Sequence, residues 1–217
     1  MTTSGATAIS EKAIQRAAGE FALVLNDKQV QQIQQYTRIL LAWNDKVNLT
    51  AIRDPLEILY RHFCESMFGA SLLPVENCRL ADVGSGGGFP GLPLKILRPE
   101  LQLFLIESNV KKATFLAEVV RELGLSDTRV LVSRFEELTE EVAPLDVVCS
   151  RALGEFSGFL NWAGSPQVGA QQALLWVGGR DVEEIRSIAG WSWADPTPVP
   201  KSLQRFLLLG KRDAQSA

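Results

Sequence analysis

The sequence of 217 residues has one histidine, His62, so a histidine-based metal centre and a two-histidine acid–base pair both lack their residues. Its three cysteines, Cys64, Cys78 and Cys149, are odd in number, far apart, and form no Cys-x-x-Cys. A disulfide framework and a zinc ribbon are thereby excluded, and no metal is expected. No stretch approaches the roughly 18 to 20 apolar residues of a membrane-spanning helix. The opening residues, MTTSGATAIS, carry neither a basic region nor an apolar core, so no secretory signal is read there. The expectation is a reduced, cytoplasmic, metal-free protein. Positive charge is also scarce: 22 Lys plus Arg against 25 Asp plus Glu gives a formal net charge of -3. A protein held to nucleic acid by bulk positive charge would not look like this.

What is present reads as one folded body. Hydrophobic residues at 46% and charged residues at 22% match an ordinary globular protein. Three helices are expected before residue 76. The first runs from about Ser10 to Phe21. The second follows the cap pair Asn26-Asp27 and repeats Val30, Ile33, Tyr36, Leu40 and Trp43 at spacings of three and four. The third opens at Asp54-Pro55-Leu56-Glu57, with a capping acid and proline at the first helical position, and stops at Leu73-Pro74. After Cys78, short apolar runs alternate with helical segments. Strands are expected at Arg79 to Val83, Gln102 to Glu107, Arg129 to Ser133, Asp146 to Ser150, Ala173 to Val177 and Gln204 to Gly210. Helices fall between them at Gly91 to Leu97, Val110 to Gly124, Glu155 to Gly164 and Asp181 to Ala189. Such alternation implies an α/β fold with a mostly parallel sheet. The last strand follows the proline-rich Pro196 to Pro200 instead of a helix, which fits an antiparallel strand at the edge. The expected division is an N-terminal helical extension over 1–78 packed on the core, a Rossmann-like core over 79–213, and a tail over 214–217.

The segment Asp82-Val83-Gly84-Ser85-Gly86-Gly87-Gly88-Phe89-Pro90-Gly91 leaves the first strand and enters the first crossover helix. In doubly wound sheets ligands bind at this carboxyl end of the strands. A phosphate-cradling loop needs Gly-Lys-Ser/Thr, and no lysine follows these glycines. The dinucleotide pattern G-x-G-x-x-G fails from Gly84, because its sixth position is Phe89. The pattern that fits is acid-x-G-x-G-x-G: Asp82, Gly84, Gly86, Gly88. An acid beside the turn suits a ligand bearing an ammonium group and repels a pyrophosphate. The reading is a class I S-adenosylmethionine-dependent methyltransferase, with Asp82 facing the methionine end. Glu107, at the end of the second strand, can accept from both ribose hydroxyls, as it could for NAD.

At this point the sequence resembles the bacterial 16S rRNA guanine-N7 methyltransferases, also called glucose-inhibited division protein B. The matching pieces are Trp43-Asn44 with Val47-Asn48-Leu49-Thr50, Ile52-Arg53-Asp54-Pro55, Arg61-His62 with Ser66, the glycine loop, Arg98-Pro99-Glu100, Ser133-Arg134-Phe135-Glu136-Glu137 and Ser150-Arg151-Ala152. They run through residues 43 to 152, about half the chain. The resemblance implies methylation of N7 of a guanine in small-subunit rRNA, at position 527; nothing in the sequence demands more than a monomer. Its implied cofactor contacts are Gly84, Phe89, Phe135-Glu136 and Arg151. An apolar side chain at Phe135 can flank an adenine while Glu136 receives its amino group; the competing reading packs Phe135 inward. Relatives often carry lysine before the glycine that ends the fifth strand. Here Val177-Gly178-Gly179-Arg180 stands there, so Arg180 either supplies that charge from a shifted position or the contribution is absent.

Guanine N7 already carries a lone pair, so its methylation needs positioning and no deprotonation. Arg151, at the end of the fourth strand, is the best catalytic candidate, donating to guanine O6 or to the cofactor. Arg134, ending the third strand, is the second expected RNA or cofactor contact. Amino-group methyltransferases carry Asn/Asp-Pro-Pro-aromatic where this chain has Cys149-Ser150-Arg151-Ala152, and Cys149 reads as a buried small hydrophobe. His62 reads as a packing residue. Two other classes are weighed: a non-catalytic rRNA-binding or assembly factor, and an NAD-dependent oxidoreductase. The net charge of -3 is reconciled with RNA by a local basic rim of Arg53, Arg61, Lys111, Lys112, Arg134, Arg151 and Arg180.

Overall fold

A computed structural model of the chain describes residues 9–74, 77–138, 141–151 and 154–214. Ala152 of the Ser-Arg-Ala segment and residues 215–217 of the expected tail lie outside the described residues. Parallel strands β1 (Arg79–Val83), β2 (Gln102–Ile106), β3 (Thr128–Leu131), β4 (Val147–Ser150) and β5 (Gln172–Gly178) alternate with helices α5 (Gly91–Leu97), α6 (Val110–Glu122) and α7 (Phe156–Ala163). Helix α8 (Val182–Arg186) precedes β6 (Trp191–Trp193), β7 (Thr197–Pro198) and β8 (Arg205–Arg212). The sheet order is β3-β2-β1-β4-β5-β8-β6, with β7 also paired to β8. Strand β8 runs antiparallel to β5, from Gln172 opposite Lys211 to Gly178 opposite Arg205. It is not the edge: Trp191 and Trp193 of β6 pair with Arg212 and Gly210, and Thr197 of β7 pairs with Leu207. Strands of three and two residues are too short to show a period, which is why their sequence announced only a proline-rich connection.

Period-two alternation sends successive strand residues to opposite apolar layers. Leu80, Leu103, Leu105, Val147, Cys149 and Leu174 face one layer. Ala81, Val83, Phe104, Ile106, Val148 and Leu175 face the other, with Phe159, Leu160 and Ile185 of α7 and α8. The N-terminal helices belong to the first layer: Ile14 of α1 (Glu11–Gly19), Ile33 and Tyr36 of α2 (Asp27–Asn44), and Phe63 are part of the same cluster as the sheet. Helix α2 opens on a reciprocal cap in which Asn26 and Gln29 exchange side-chain and backbone hydrogen bonds. Its glutamines then serve the core. Gln29 Nε2 donates to the Ile96 carbonyl and Gln32 Nε2 to the Leu123 carbonyl, at 3.1 and 3.0 Å. These are carbonyls at the ends of α5 and α6, where a helix has no partners of its own.

The third helical stretch is one rod with changing pitch. It runs through α3 (Pro55–Ile58), a π turn (Leu59–Cys64), α4 (Glu65–Phe68) and a 3-10 turn (Gly69–Leu72). Asp54 caps it by accepting from Glu57 N at 2.8 Å, as the sequence indicated. The wider π turn shifts the buried face, so that Phe63 to Met67 are buried in succession. That shift carries Glu65 inside.

Candidate functional site

The turn after β1 is shaped by three glycines with positive φ: Gly84 at 71°, Gly86 at 54° and Gly88 at 84°. Gly84 N and Ser85 N both donate to the Ile106 carbonyl, which ties the turn to the end of β2. Gly88 is the tightest point. A Cβ there would lie 2.2 Å from the Tyr36 hydroxyl and 2.4 Å from Leu92 Cδ1. The Tyr36 hydroxyl donates to the Gly87 carbonyl, so α2 of the extension holds the loop from outside. Asp82 holds it from beneath: Oδ2 accepts from Gly91 N at 3.0 Å. Its side chain is fully buried, with Oδ1 left without a hydrogen-bond partner among the described residues, and it is not among the residues lining the cleft. Burial pushes its carboxyl up to about 7, with the Gly91 N–H opposing the shift.

Beyond the loop lies an open cleft of about 300 Å3 lined by Val83, Gly84, Ile106, Glu107, Ser108 and the Ser133–Glu136 segment. Four of the expected cofactor residues, Gly84, Glu107, Phe135 and Glu136, meet here, together with Arg134. Glu107 is fixed by two backbone donors, Gly86 N to Oε2 at 2.9 Å and Asn109 N to Oε1 at 2.8 Å. Each carboxylate oxygen keeps a second acceptor position for a ligand hydroxyl. Phe135 is half-buried and stands edge-on to Trp162 and Phe159, at centroid distances of 5.3 and 6.1 Å. Glu137 turns back to accept from Ser133 Oγ at 2.7 Å and Arg134 N at 3.3 Å, which lowers its pKa. Glu136 and Arg134 are left exposed on the cleft wall. Phe89 is placed differently. Its ring is buried, stacked on Tyr36 and His62 at 5.4 and 4.6 Å, so it bears on the loop through packing and not through the cleft lining.

Arg151 also stands apart from that lining. Its Nη2 donates to Glu65 Oε2 at 3.1 Å, while Arg205 donates to the same carboxylate through Nε and Nη2. Arg151 Nη1 is buried with no partner among the described residues. Burial lowers the guanidinium to about 10, with Glu65 opposing and Arg205 and Arg61 adding to the shift, so it remains a cation near neutral pH. Ser150 Oγ donates to the Val83 carbonyl at 2.8 Å and pins the end of β4 beside the end of β1. Cys149 is fully buried and its thiol is raised well above the ordinary value, chiefly by desolvation. A nucleophilic role has no support there.

The family model described as rRNA small subunit methyltransferase G matches residues 29–189. The chain belongs to that family. It is 39% identical over 153 residues to the ribosomal RNA small subunit methyltransferase G of Dichelobacter nodosus, covering 70% of this chain and 72% of that one. Identity to the protein of the same name from Pseudomonas aeruginosa is 38% over 176 residues, covering 80% and 79%. Among solved structures, a SAM-dependent methyltransferase from Aquifex aeolicus superposes with a TM-score of 0.59 at 17% identity, covering 76% of this chain and 97% of that one. TYW2 of M. jannaschii, solved in complex with AdoMet, gives 0.53 at 15% identity, covering 70% and 76%. At those identities the likeness is one of fold, the Rossmann-like fold of SAM-dependent methyltransferases.

The family's motif residues divide by role in this chain. Asn44 orders the 44–50 turn, its Oδ1 accepting from Leu49 N and Thr50 N and its Nδ2 donating to the Thr50 carbonyl. Thr50 Oγ1 then meets His62 Nε2 at 2.7 Å. His62, mostly buried and stacked on Phe89, has its pKa lowered to about 3 by burial first and then by Arg151 and Arg61. Its folded pKa lies below the unfolded value near 6.5, so its stabilising preference is present above pH 6.5 and is lost as pH falls toward 3. The melting temperature is therefore expected to fall more steeply between pH 6.5 and 3 in the wild type than in His62→Gln. Parallel curves in a thermal-melt series would contradict this.

The expected basic rim is only partly formed. Arg53 pairs with Asp45 at 3.0 Å, Arg61 with Glu57 at 3.4 Å, and Arg151 is buried against Glu65. Lys111, Lys112, Arg134 and Arg180 make no ion pair among the described residues. Sequence reasoning singled out neither Glu65 nor Arg205, and read Tyr36 only as part of a buried helix face; their contacts with Arg151 and the glycine loop join residues far apart in the chain.

Proposed function

We propose that the protein transfers a methyl group from S-adenosylmethionine to N7 of a guanine in 16S rRNA, guanine 527 in the standard numbering. The observation that carries this reading is the convergence of Gly84, Glu107, Phe135 and Glu136 on one cleft at the carboxyl ends of β1 to β3. The residues fit the cofactor. Glu107 has acceptor capacity for two ribose hydroxyls, Phe135 offers an apolar wall for an adenine, and Glu136 an acceptor for its amino group. Gly84 keeps the loop free of side chains where a ligand approaches. When bound, the cofactor supplies an electrophilic methyl on a sulfonium.

The protein's own part is placement. N7 brings its lone pair and needs no general base, which agrees with His62 being packed and depressed in pKa. Arg151 Nη1, buried and unpartnered, donates to guanine O6 or to the cofactor's carboxylate. Arg134 on the cleft wall and Arg180 beyond β5 meet RNA phosphates. With only two arginines placed on phosphates the salt dependence of RNA binding should be shallow. The working form is a cytoplasmic monomer acting on the small subunit or its precursor.

Labelled methyl transfer to small subunits lacking the modification tests this directly. Incorporation into 16S rRNA supports the reading. Tight binding to subunits with no incorporation would assign a non-catalytic assembly factor instead. Calorimetry separates the cofactor classes: S-adenosylhomocysteine is expected to bind and NAD not to, and the reverse would overturn the assignment.

A further inference from the structure

Glu65 is a buried carboxylate, its side chain 3% exposed, on a helix of the N-terminal extension. It accepts from two arginines that come from distant strand ends: Arg151 after β4 and Arg205 at the start of β8. The distances are 3.1 Å to Arg151 Nη2, 3.0 and 3.1 Å to Arg205 Nε, and 2.6 Å to Arg205 Nη2. Its backbone is fixed as well, because Trp176 Nε1 of β5 donates to the Glu65 carbonyl at 2.7 Å. Gly69, one helical turn on, lies against the same indole, where a Cβ would fall 2.4 Å from Trp176 Cζ2. The carboxylate is therefore anchored to the sheet at both its peptide and its head.

Two consequences follow from the chemistry. One negative charge shared by two guanidinium groups leaves the cluster with a net positive charge, which suits an anionic or acceptor ligand. Arg151 has one arm, Nη2, held by Glu65 and the other, Nη1, buried with no protein partner. A buried unpaired guanidinium nitrogen is costly unless a ligand completes it.

We propose that Glu65 is a positioning residue for methyl transfer: it tethers Arg151 through Nη2 and so presents Nη1 to the ligand. This rests on the reading of Arg151 as the transfer-site arginine. Neutralising two partly buried cations is the simpler role, and the two differ in what they require. Neutralisation needs a negative charge nearby. Positioning needs that charge at the full reach of a glutamate side chain, and it acts only through Arg151.

The test is a double-mutant cycle with Glu65→Gln and Glu65→Asp, each made in wild-type and in Arg151→Ala backgrounds. Methyl transfer, S-adenosylhomocysteine affinity by calorimetry, and melting temperature are read for each. In the wild-type background both substitutions should lower kcat/KM by about 10-fold or more, the loss of a charge-assisted hydrogen bond. Glu65→Asp, which keeps the charge, should recover melting temperature without recovering kcat/KM. Against Arg151→Ala the same substitutions should change kcat/KM less than about twofold. S-adenosylhomocysteine affinity in Glu65→Gln should match that of Arg151→Ala within the same margin. Equal losses in both backgrounds, or full rescue by aspartate, would overturn the proposal. If Glu65→Gln fails to fold, Glu65→Asp carries the cycle alone. Wild-type turnover in Arg151→Ala itself would instead sink the underlying reading, and the two failures are distinct.

Discussion

Arg151→Ala is expected to slow methyl transfer by about 100-fold or more, the scale seen when one preorganised donor is removed from a reacting centre. The fold should survive. Deleting the Arg151 side chain removes one donor from Glu65, but Arg205 Nε and Nη2 still engage both carboxylate oxygens, so no buried charge is stranded. The backbone at the end of β4 keeps its own anchor in the Ser150 to Val83 hydrogen bond. Single-turnover transfer to small subunits together with a thermal melt checks both halves. Wild-type turnover would remove Arg151 from the site, and gross unfolding would assign it to structure.

Gly88→Ala is expected to lower the melting temperature by roughly 10 °C and to abolish S-adenosylhomocysteine binding at accessible concentrations. Placing an L-residue at φ 84° costs roughly 1–2 kcal/mol. Forcing a Cβ between the Tyr36 hydroxyl and Leu92 adds about 1–3 kcal/mol of overpacking. At roughly 2–4 °C per kcal/mol for a chain of this size, the sum gives the expected shift. Binding suffers because the Tyr36 bond to the Gly87 carbonyl must break or stretch, displacing the loop that frames the cleft. Gly86→Ala is the internal control. Its φ is also positive, at 54°, but the nearest atom to a new Cβ is the Gly84 carbonyl oxygen at 3.7 Å. It should lose only about 1 kcal/mol. Equal melting temperatures for the two variants would refute the steric account of Gly88.

Local sequence signals foretold the fold's frame because they are backed by local physics. Asp54 and Pro55 start a helix through the cap on Glu57 N and the preset φ of proline, and Gly91 to Leu97 is bounded by prolines and the glycine turn. The alternation of Leu80, Ala81, Leu103 and Phe104 was legible as strand, and the antiparallel sense of β8 followed from its non-helical approach. Of the residues that line the cleft, Gly84 and Glu107 are legible from the glycine turn and the strand ends, whereas Phe135 and Glu136 enter only through the family resemblance. What stayed hidden depends on contacts far along the chain. Glu65 and Arg205 are 140 residues apart, and no spacing rule joins them. The π turn at Leu59–Cys64, which turns Glu65 inward, leaves no periodic mark distinct from an α-helix. Asp82 stands at a strand end beside the glycine turn, and the bond from its Oδ2 to the N–H of Gly91, nine residues on, is not visible in any local spacing.

The family and the cleft together point to one product, N7-methylguanine in small-subunit rRNA. Mapping N7-methylguanine across 16S rRNA, in cells with the protein and in cells deleted for it, decides whether this chain makes it. The expected result is the loss of a single modification, at guanine 527, restored by the wild-type chain and not by Arg151→Ala. Persistence of that modification in the deleted cells, or loss of a mark at a different base, would contradict it.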